Sequence, residues 1–121
     1  MDRHIRSVLI VEDDSIISIS LKMMLESSGF EVCDIASSGV KALRIYNDSR
    51  PDAVLLDINL KGGMTGIDIC NELKKTDAHP VVIYITGYSD EKLIRAAEET
   101  MPRAIFEKPV DVDDLIHMLG A

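Results

Sequence analysis

The residues able to do chemistry stand where short apolar runs stop. "SVLIV" runs into Glu12, Asp13 and Asp14; "DAVLL" runs into Asp57; "PVVIYIT" closes on Thr86; "RAIFEK" closes on Lys108. A carboxylate beside a core costs free energy unless something compensates it. Several carboxylates brought together repel one another and raise their pKa values. A hard divalent cation, Mg²⁺ or Mn²⁺, removes that conflict, because carboxylates, a spare carbonyl and water suffice to hold it. Asp57 can do more than bind. An aspartate is already ionised at neutral pH and can act as a nucleophile that forms an acyl phosphate. Lys108 and the Thr86 hydroxyl then suit the remaining phosphoryl oxygens, whose charge must be offset during transfer. The chain has neither a G-x-x-x-x-G-K-[ST] loop nor a G-x-G-x-x-G turn, so the phosphate is expected on a donor other than a bound nucleotide.

These residues share a site only if the chain between them folds suitably. The apolar period alternates between short continuous runs and helical spacing. Strands are expected at Ser7–Val11, Glu31–Ala36, "DAVLL", Pro80–Thr86 and "RAIFEK". Helices are expected in "SIISISLKMMLESSG", with Ile17, Leu21, Met24 and Leu25 inward and Gly29 as the stop, and in "GVKALRIYND", carrying Val40, Leu43 and Ile45. Three more follow in "GIDICNELKK", "SDEKLIRAAEE" with Ser89 as N-cap, and "DVDDLIHMLG". The fold class is therefore α/β: a five-stranded parallel sheet doubly wound by five helices. Strand order 2-1-3-4-5 would put the topological switch point between the first and third strands, which are the two that end in acids.

Composition narrows the function. The 121 residues suit one domain, 1–121, large enough to bury a core unaided. Lys and Arg number 13 against 21 Asp and Glu, a net charge of −8, which argues against direct binding of nucleic acid. The apolar stretch near the N-terminus is too short for a signal peptide, and no stretch is long enough to cross a bilayer, so a cytoplasmic location without membrane partners is expected. Cys33 and Cys70 have no metal spacing and read as reduced, buried thiols. His4, His79 and His117 are scattered and read as surface residues.

Taken together, "VLIVEDD", "VLLDINL", "YITGYSD" and "FEKPV" make the chain resemble, over essentially its whole length, the receiver domain of two-component response regulators, a flavodoxin-like fold. The resemblance implies that Asp57 is the phosphoacceptor. It implies that Asp13 and Asp57 bind Mg²⁺ directly, Glu12 through water, and Asn59 through its main-chain carbonyl. It further implies that Thr86 is the switch hydroxyl, Phe106 the switch aromatic and Lys108 the phosphate-pairing lysine, with a cis Lys108–Pro109 bond. The implied phosphodonor is a sensor histidine kinase or a histidine phosphotransfer protein. A downstream partner would be controlled through the face from the fourth strand to the fifth helix. Such a domain is a switch that takes part in its own phosphorylation and autodephosphorylation, not a metabolic enzyme.

Each residue also has a plainer reading. Alone, Lys108 would be a snorkelling surface lysine, Thr86 an ordinary strand residue and Phe106 a core aromatic. Their convergence with Glu12, Asp13 and Asp57 favours the site. Asp14 reads as a helix N-cap with Ser15, and the acids of "DVDD" as charge favourable to a helix start. Ile16, Ile19 and Met23 form a second apolar line on the first helix, either extra core or a strip where a helical phosphodonor docks.

Two departures from the family pattern stand out. "DINLKGGMTG" lacks the common proline after the phosphoacceptor and places Gly66 nine positions past Asp57, one more than usual. Tyr88, two positions past Thr86, is expected to hinder the attacking water and lengthen the life of the acyl phosphate. Two other functional classes fit the sequence less well. An aspartyl-nucleophile phosphatase would want a second Asp where Asn59 stands. A binding-only module would not need the complete set of acids, Thr86 and Lys108.

Overall fold

The computed structural model describes residues 4–77, 79–87 and 91–120. The expected Ser89 cap and the Tyr88 ring lie outside the described residues. Elements alternate in the order β1 Ser7–Val11, α1 Ser15–Ser27, β2 Glu31–Ala36, α2 Gly39–Ser49, β3 Ala53–Asp57, α3 Gly66–Leu73, β4 Val81–Thr86, α4 Glu91–Glu99, β5 Ala104–Glu107 and α5 Val112–Met118. All strand pairs are parallel, in the order β2-β1-β3-β4-β5. The fold class and sheet order expected from the sequence are both present.

The sheet separates two apolar clusters, as period-2 alternation in strands buried on both faces requires. Leu9, Val11, Val54, Leu56 and Tyr84 pack on one side with Ala42, Tyr46, Ile69 and Leu73 of α2 and α3. Val8, Ile10, Leu55, Ile83 and Ile85 pack on the other with Leu21 and Leu25 of α1 and Leu115 of α5. Every residue of β3 is buried, Asp57 included. Register then aligns the site. Val11 pairs with Leu56, Asp57 with Ile85 and Thr86 with Glu107, so the residues that follow β1, β3 and β5 leave the sheet at one edge.

Several boundaries differ from expectation. Pro80, Arg103 and Lys108 fall outside their strands, because β4 begins at Val81 and β5 spans only Ala104–Glu107. In α2 the inward face is Gly39, Ala42, Ile45 and Tyr46; Val40 is 74% exposed and Leu43 half-buried. Ile45 thus holds its expected place, while a small residue and an amphipathic tyrosine replace Val40 and Leu43 as the buried contacts. In α1, Leu21 and Leu25 are buried, whereas Ile17 and Met24 are half-buried and Ser18 takes an inward place, bonding back to the Ser15 carbonyl. Cys70 is buried but Cys33 only partly so, and both are free thiols. Asp14 caps α1 by accepting from the Ile16 and Ile17 amides at 2.9 and 3.1 Å. Asp111 caps α5 in the same way through Asp114. His4, His79 and His117 are exposed, as expected.

Candidate functional site

Two strands deliver acids to one edge of the sheet. Each arrives because an apolar strand ends there and the next residue cannot continue into the core. Glu12 and Asp13 follow β1, and Asp57 is the last residue of β3. Their carboxylate oxygens lie within 4.8 Å of one another, a cluster able to hold a metal ion. Hard oxygen donors at this spacing suit Mg²⁺ or Mn²⁺ better than a soft metal. Glu12 and Asp57 are nearly inaccessible, at 3% and 5% exposure.

Backbone and side-chain donors orient these acids. Glu12 Oε1 accepts from the Asp14 amide at 3.2 Å. Asp57 Oδ1 accepts from the Asn59 amide at 3.0 Å, and Asp13 Oδ2 accepts from the Lys61 amide at 3.2 Å. Lys108 enters from beyond β5, held by its own amide on the Thr86 carbonyl at 2.9 Å. Its Nζ stands 2.9 Å from Glu12 Oε2 and 3.5 Å from Asp57 Oδ2. Burial pushes the Glu12 carboxyl above its ordinary pKa and the Asp57 charge adds to that, while the Lys108 hydrogen bond opposes both. For Lys108, burial works to lower the pKa, but the Glu12 hydrogen bond and the Asp57 and Glu12 charges outweigh it and hold the ammonium above its ordinary value.

The structure therefore brings together Glu12, Asp13, Asp57 and Lys108, with Thr86 buried at the end of β4, in the strand beside Asp57. Asn59 follows Asp57 by two residues in the same loop, and its side-chain Nδ2 is buried without a hydrogen-bond partner among the described residues. Phe106 is half-buried against the α1–α5 side of the core, paired in register with Ile85. The Lys108–Pro109 bond is cis. Ile16, Ile19 and Met23 are all exposed rather than extra core. Ile16 borders an apolar cavity of about 370 Å³ beside Lys108, also lined by Ile17, Leu21, Met24, Pro109 and Val110.

The β3–α3 loop carries the late Gly66 of the sequence pattern. A Cβ on Gly66 would lie 2.4 Å from the Asp57 carbonyl oxygen and 3.0 Å from the Ile58 Cα, so only glycine lets α3 start against the strand end that carries Asp57. Farther along the loop, Gly62 and Gly63 stand at φ +88° and +112° and are open to solvent. Sequence reading missed the third constraint on this loop: Met64 seats against Gly39 at the start of α2. No local signal joins residues so far apart in the chain.

The chain has relatives among known proteins. The family described as the response regulator receiver domain matches residues 8–120. Sporulation initiation phosphotransferase F of Bacillus subtilis (strain 168) is 35% identical over 89% of this chain and 86% of its own length. The transcriptional regulatory protein PdtaR of Mycobacterium tuberculosis is 32% identical over 92% of this chain, which spans only 53% of that protein. Among solved structures, the signal receiver domain of a modulated diguanylate cyclase from Desulfovibrio desulfuricans G20 superposes with a TM-score of 0.88 at 32% identity, covering 95% of this chain and 90% of that one.

Proposed function

The chain belongs to the response regulator receiver domain family, and on that premise we propose that it accepts a phosphoryl group on Asp57 from a phosphohistidine protein, with a divalent cation required, and thereby switches a partner. The observation that carries this reading is the gathering of Glu12, Asp13 and Asp57 oxygens within 4.8 Å, with the Lys108 ammonium reaching two of the three acids.

Asp57 Oδ2, the oxygen facing Lys108, attacks phosphorus while Oδ1 stays on the Asn59 amide. The O–P bond forms as the N–P bond of the phosphohistidine breaks. That electron pair stays on the imidazole nitrogen, which takes up a proton. Mg²⁺ or Mn²⁺, when bound, offsets the charge on the phosphoryl oxygens. Asp13, Asp57 and the Asn59 main-chain carbonyl would hold it, with Glu12 acting through water. Lys108 then pairs with a second phosphoryl oxygen and the Thr86 hydroxyl with a third. Autodephosphorylation is the attack of water on the same phosphorus, which releases inorganic phosphate and restores the carboxylate.

Phosphorylation biases a two-state equilibrium in which Thr86 moves toward the phosphate and Phe106 repacks. The face from β4 to α5 changes shape and so binds or releases a downstream protein. The phosphodonor, a sensor histidine kinase or histidine phosphotransfer protein, docks a helix along Ile16, Ile19 and Met23 beside the groove that ends at Lys108. No helix among the described residues is long and apolar enough to cross a membrane, which fits cytoplasmic action.

Incubation with acetyl phosphate and Mg²⁺, read by intact mass and peptide mapping, tests the reading. One phosphoryl group on Asp57, absent in Asp57→Asn and absent with EDTA, is expected. Modification at another side chain, or labelling that ignores EDTA, would overturn it. Ile16→Glu should keep acetyl phosphate labelling while blocking transfer from the protein donor.

A further inference from the structure

We propose that Met64 is a positioning residue for the acidic site: its seat on Gly39 fixes the path of the β3–α3 loop and so the placement of the Asn59 and Lys61 main chain. This rests on the phosphoryl-transfer reading above and adds to it a contact outside the reacting groups.

Between Asp57 and Gly66 the chain must hold the Asn59 amide on Asp57 and the Lys61 amide on Asp13, then return so that the Gly66 amide meets the Ile58 carbonyl at 3.1 Å. Two glycines at positive φ, Gly62 and Gly63, give that return its freedom and also its entropy cost. Something must restrict it. Leu60 is buried, which fixes the near side of the turn. Met64, half-buried against the core cluster, fixes the far side.

Gly39 makes the Met64 contact possible. A Cβ at position 39 would stand 2.7 Å from both Cβ and Sδ of Met64 and 3.1 Å from its Cγ. The Sδ contact alone could be relieved by a rotamer change. The Cβ contact cannot, because that atom is fixed to the loop backbone, and relief means moving the main chain. Gly39 has an ordinary helical conformation rather than a positive φ, so its glycine identity is explained by the neighbour and not by the backbone. The first residue of α2 is thus hollowed out to receive the loop, and the two glycines preceding Met64 would otherwise leave that loop loose.

Two measurements on the full chain test this. The first uses no metal: amide resonances of Asn59 and Lys61 should shift in Gly39→Ala and broaden in Met64→Ala, which removes the thioether arm without inserting anything. The second is calorimetric titration with Mg²⁺. Gly39→Ala should weaken Mg²⁺ binding by about tenfold, the scale of outer supporting contacts at metal sites. Met64→Ala should weaken it less, and the melting temperature of Met64→Ala should stay within a few degrees of wild type. The Gly39→Ala/Met64→Gly pair, which frees the space a methyl needs, should recover affinity relative to Gly39→Ala alone. Unchanged Asn59 and Lys61 resonances in both single variants would overturn the inference, as would Mg²⁺ affinity that falls only in step with melting temperature. A wild-type chain that binds no Mg²⁺ would sink the phosphoryl-transfer reading instead, while the resonance shifts would still decide the role of Met64.

Discussion

Lys108 stands closer to Glu12, at 2.9 Å, than to Asp57, at 3.5 Å. The lysine proposed to meet a phosphoryl oxygen on Asp57 is thus bonded first to Glu12, an acid of the proposed metal site. With the ion absent, the ammonium supplies the positive charge that keeps two buried carboxylates tolerable. On the proposed function, a bound ion and phosphoryl group would take over that duty and free Lys108 to reach the phosphate, so that one cation would oppose the other.

Lys108→Met should accordingly bind Mg²⁺ more tightly than wild type. Even at the dielectric of bulk water, removing a unit charge a few ångströms from a divalent ion is worth roughly tenfold in affinity. Without metal the same variant should melt lower, by about 1–3 kcal/mol of stability, because Glu12 and Asp57 lose their counter-charge. Calorimetry and thermal melts with and without Mg²⁺ check both. Equal Mg²⁺ affinity in the two proteins would mean that lysine and metal do not compete.

Asp57→Asn separates phosphorylation from charge. The amide keeps an oxygen for the Asn59 amide but removes one of two buried, mutually repelling acids. The metal-free protein should become more stable by about 1 kcal/mol. Stabilisation by saturating Mg²⁺, which follows the ratio of ligand to Kd, should shrink. Denaturant melts with EDTA and with Mg²⁺ give both numbers, and a less stable metal-free variant would show that Lys108 compensates the pair more than fully.

Gly66→Ala should be far more damaging than Gly62→Ala. The first pushes a methyl into the Asp57 carbonyl and the Ile58 backbone, which have nowhere to go, at a cost of about 3 kcal/mol or more. The second meets open space and costs only the strain of a positive φ, about 1–2 kcal/mol. Urea denaturation of both, with Mg²⁺ binding measured on Gly62→Ala, ranks them. Equal losses would mean that the loop yields as a whole.

What could be read from the sequence follows from how local its cause is. Asp57 at the end of a five-residue apolar strand announces itself, because only a compensated acid belongs there. A doubly wound parallel sheet followed from the alternation of elements, and the Asp14 cap from its place before a helical period. The face of α2 did not, since Val40 fits the apolar period as well as Ala42 does. The buried face of Gly39, Ala42, Ile45 and Tyr46, the last a residue with both apolar and polar surface, marks the helix's rotation. The Met64 seat was illegible for a stronger reason: the glycine that makes it possible lies in another helix, and nothing in either segment names the other.

The pair Tyr84–Thr100 gives a last prediction, away from the acids. Tyr84, on β4 two residues before Thr86, is fully buried and its hydroxyl meets Thr100 Oγ1 at 2.8 Å. Thr100 Oγ1 also donates to the Ala97 carbonyl at 2.6 Å, which ties the end of α4 to the strand carrying Thr86. Since Thr100 gives its proton to Ala97, Tyr84 is the donor in the shared bond. Burial holds the Tyr84 phenol well above its ordinary pKa, so it stays protonated. Tyr84→Phe then removes a donor and leaves an acceptor that is still engaged through its own proton, at a cost of about 1 kcal/mol. Thr100→Val is worse. It strands the buried Tyr84 hydroxyl beside the Cys70 thiol, a weak partner, and leaves the Ala97 carbonyl with the Thr100 amide at 3.1 Å in place of two donors, costing about 2 kcal/mol. The double variant should fall short of the sum, because each single change already breaks the shared bond. Denaturant melts of the three proteins measure the cycle; strict additivity would show that the two hydroxyls act independently and that α4 is held by its apolar contacts alone.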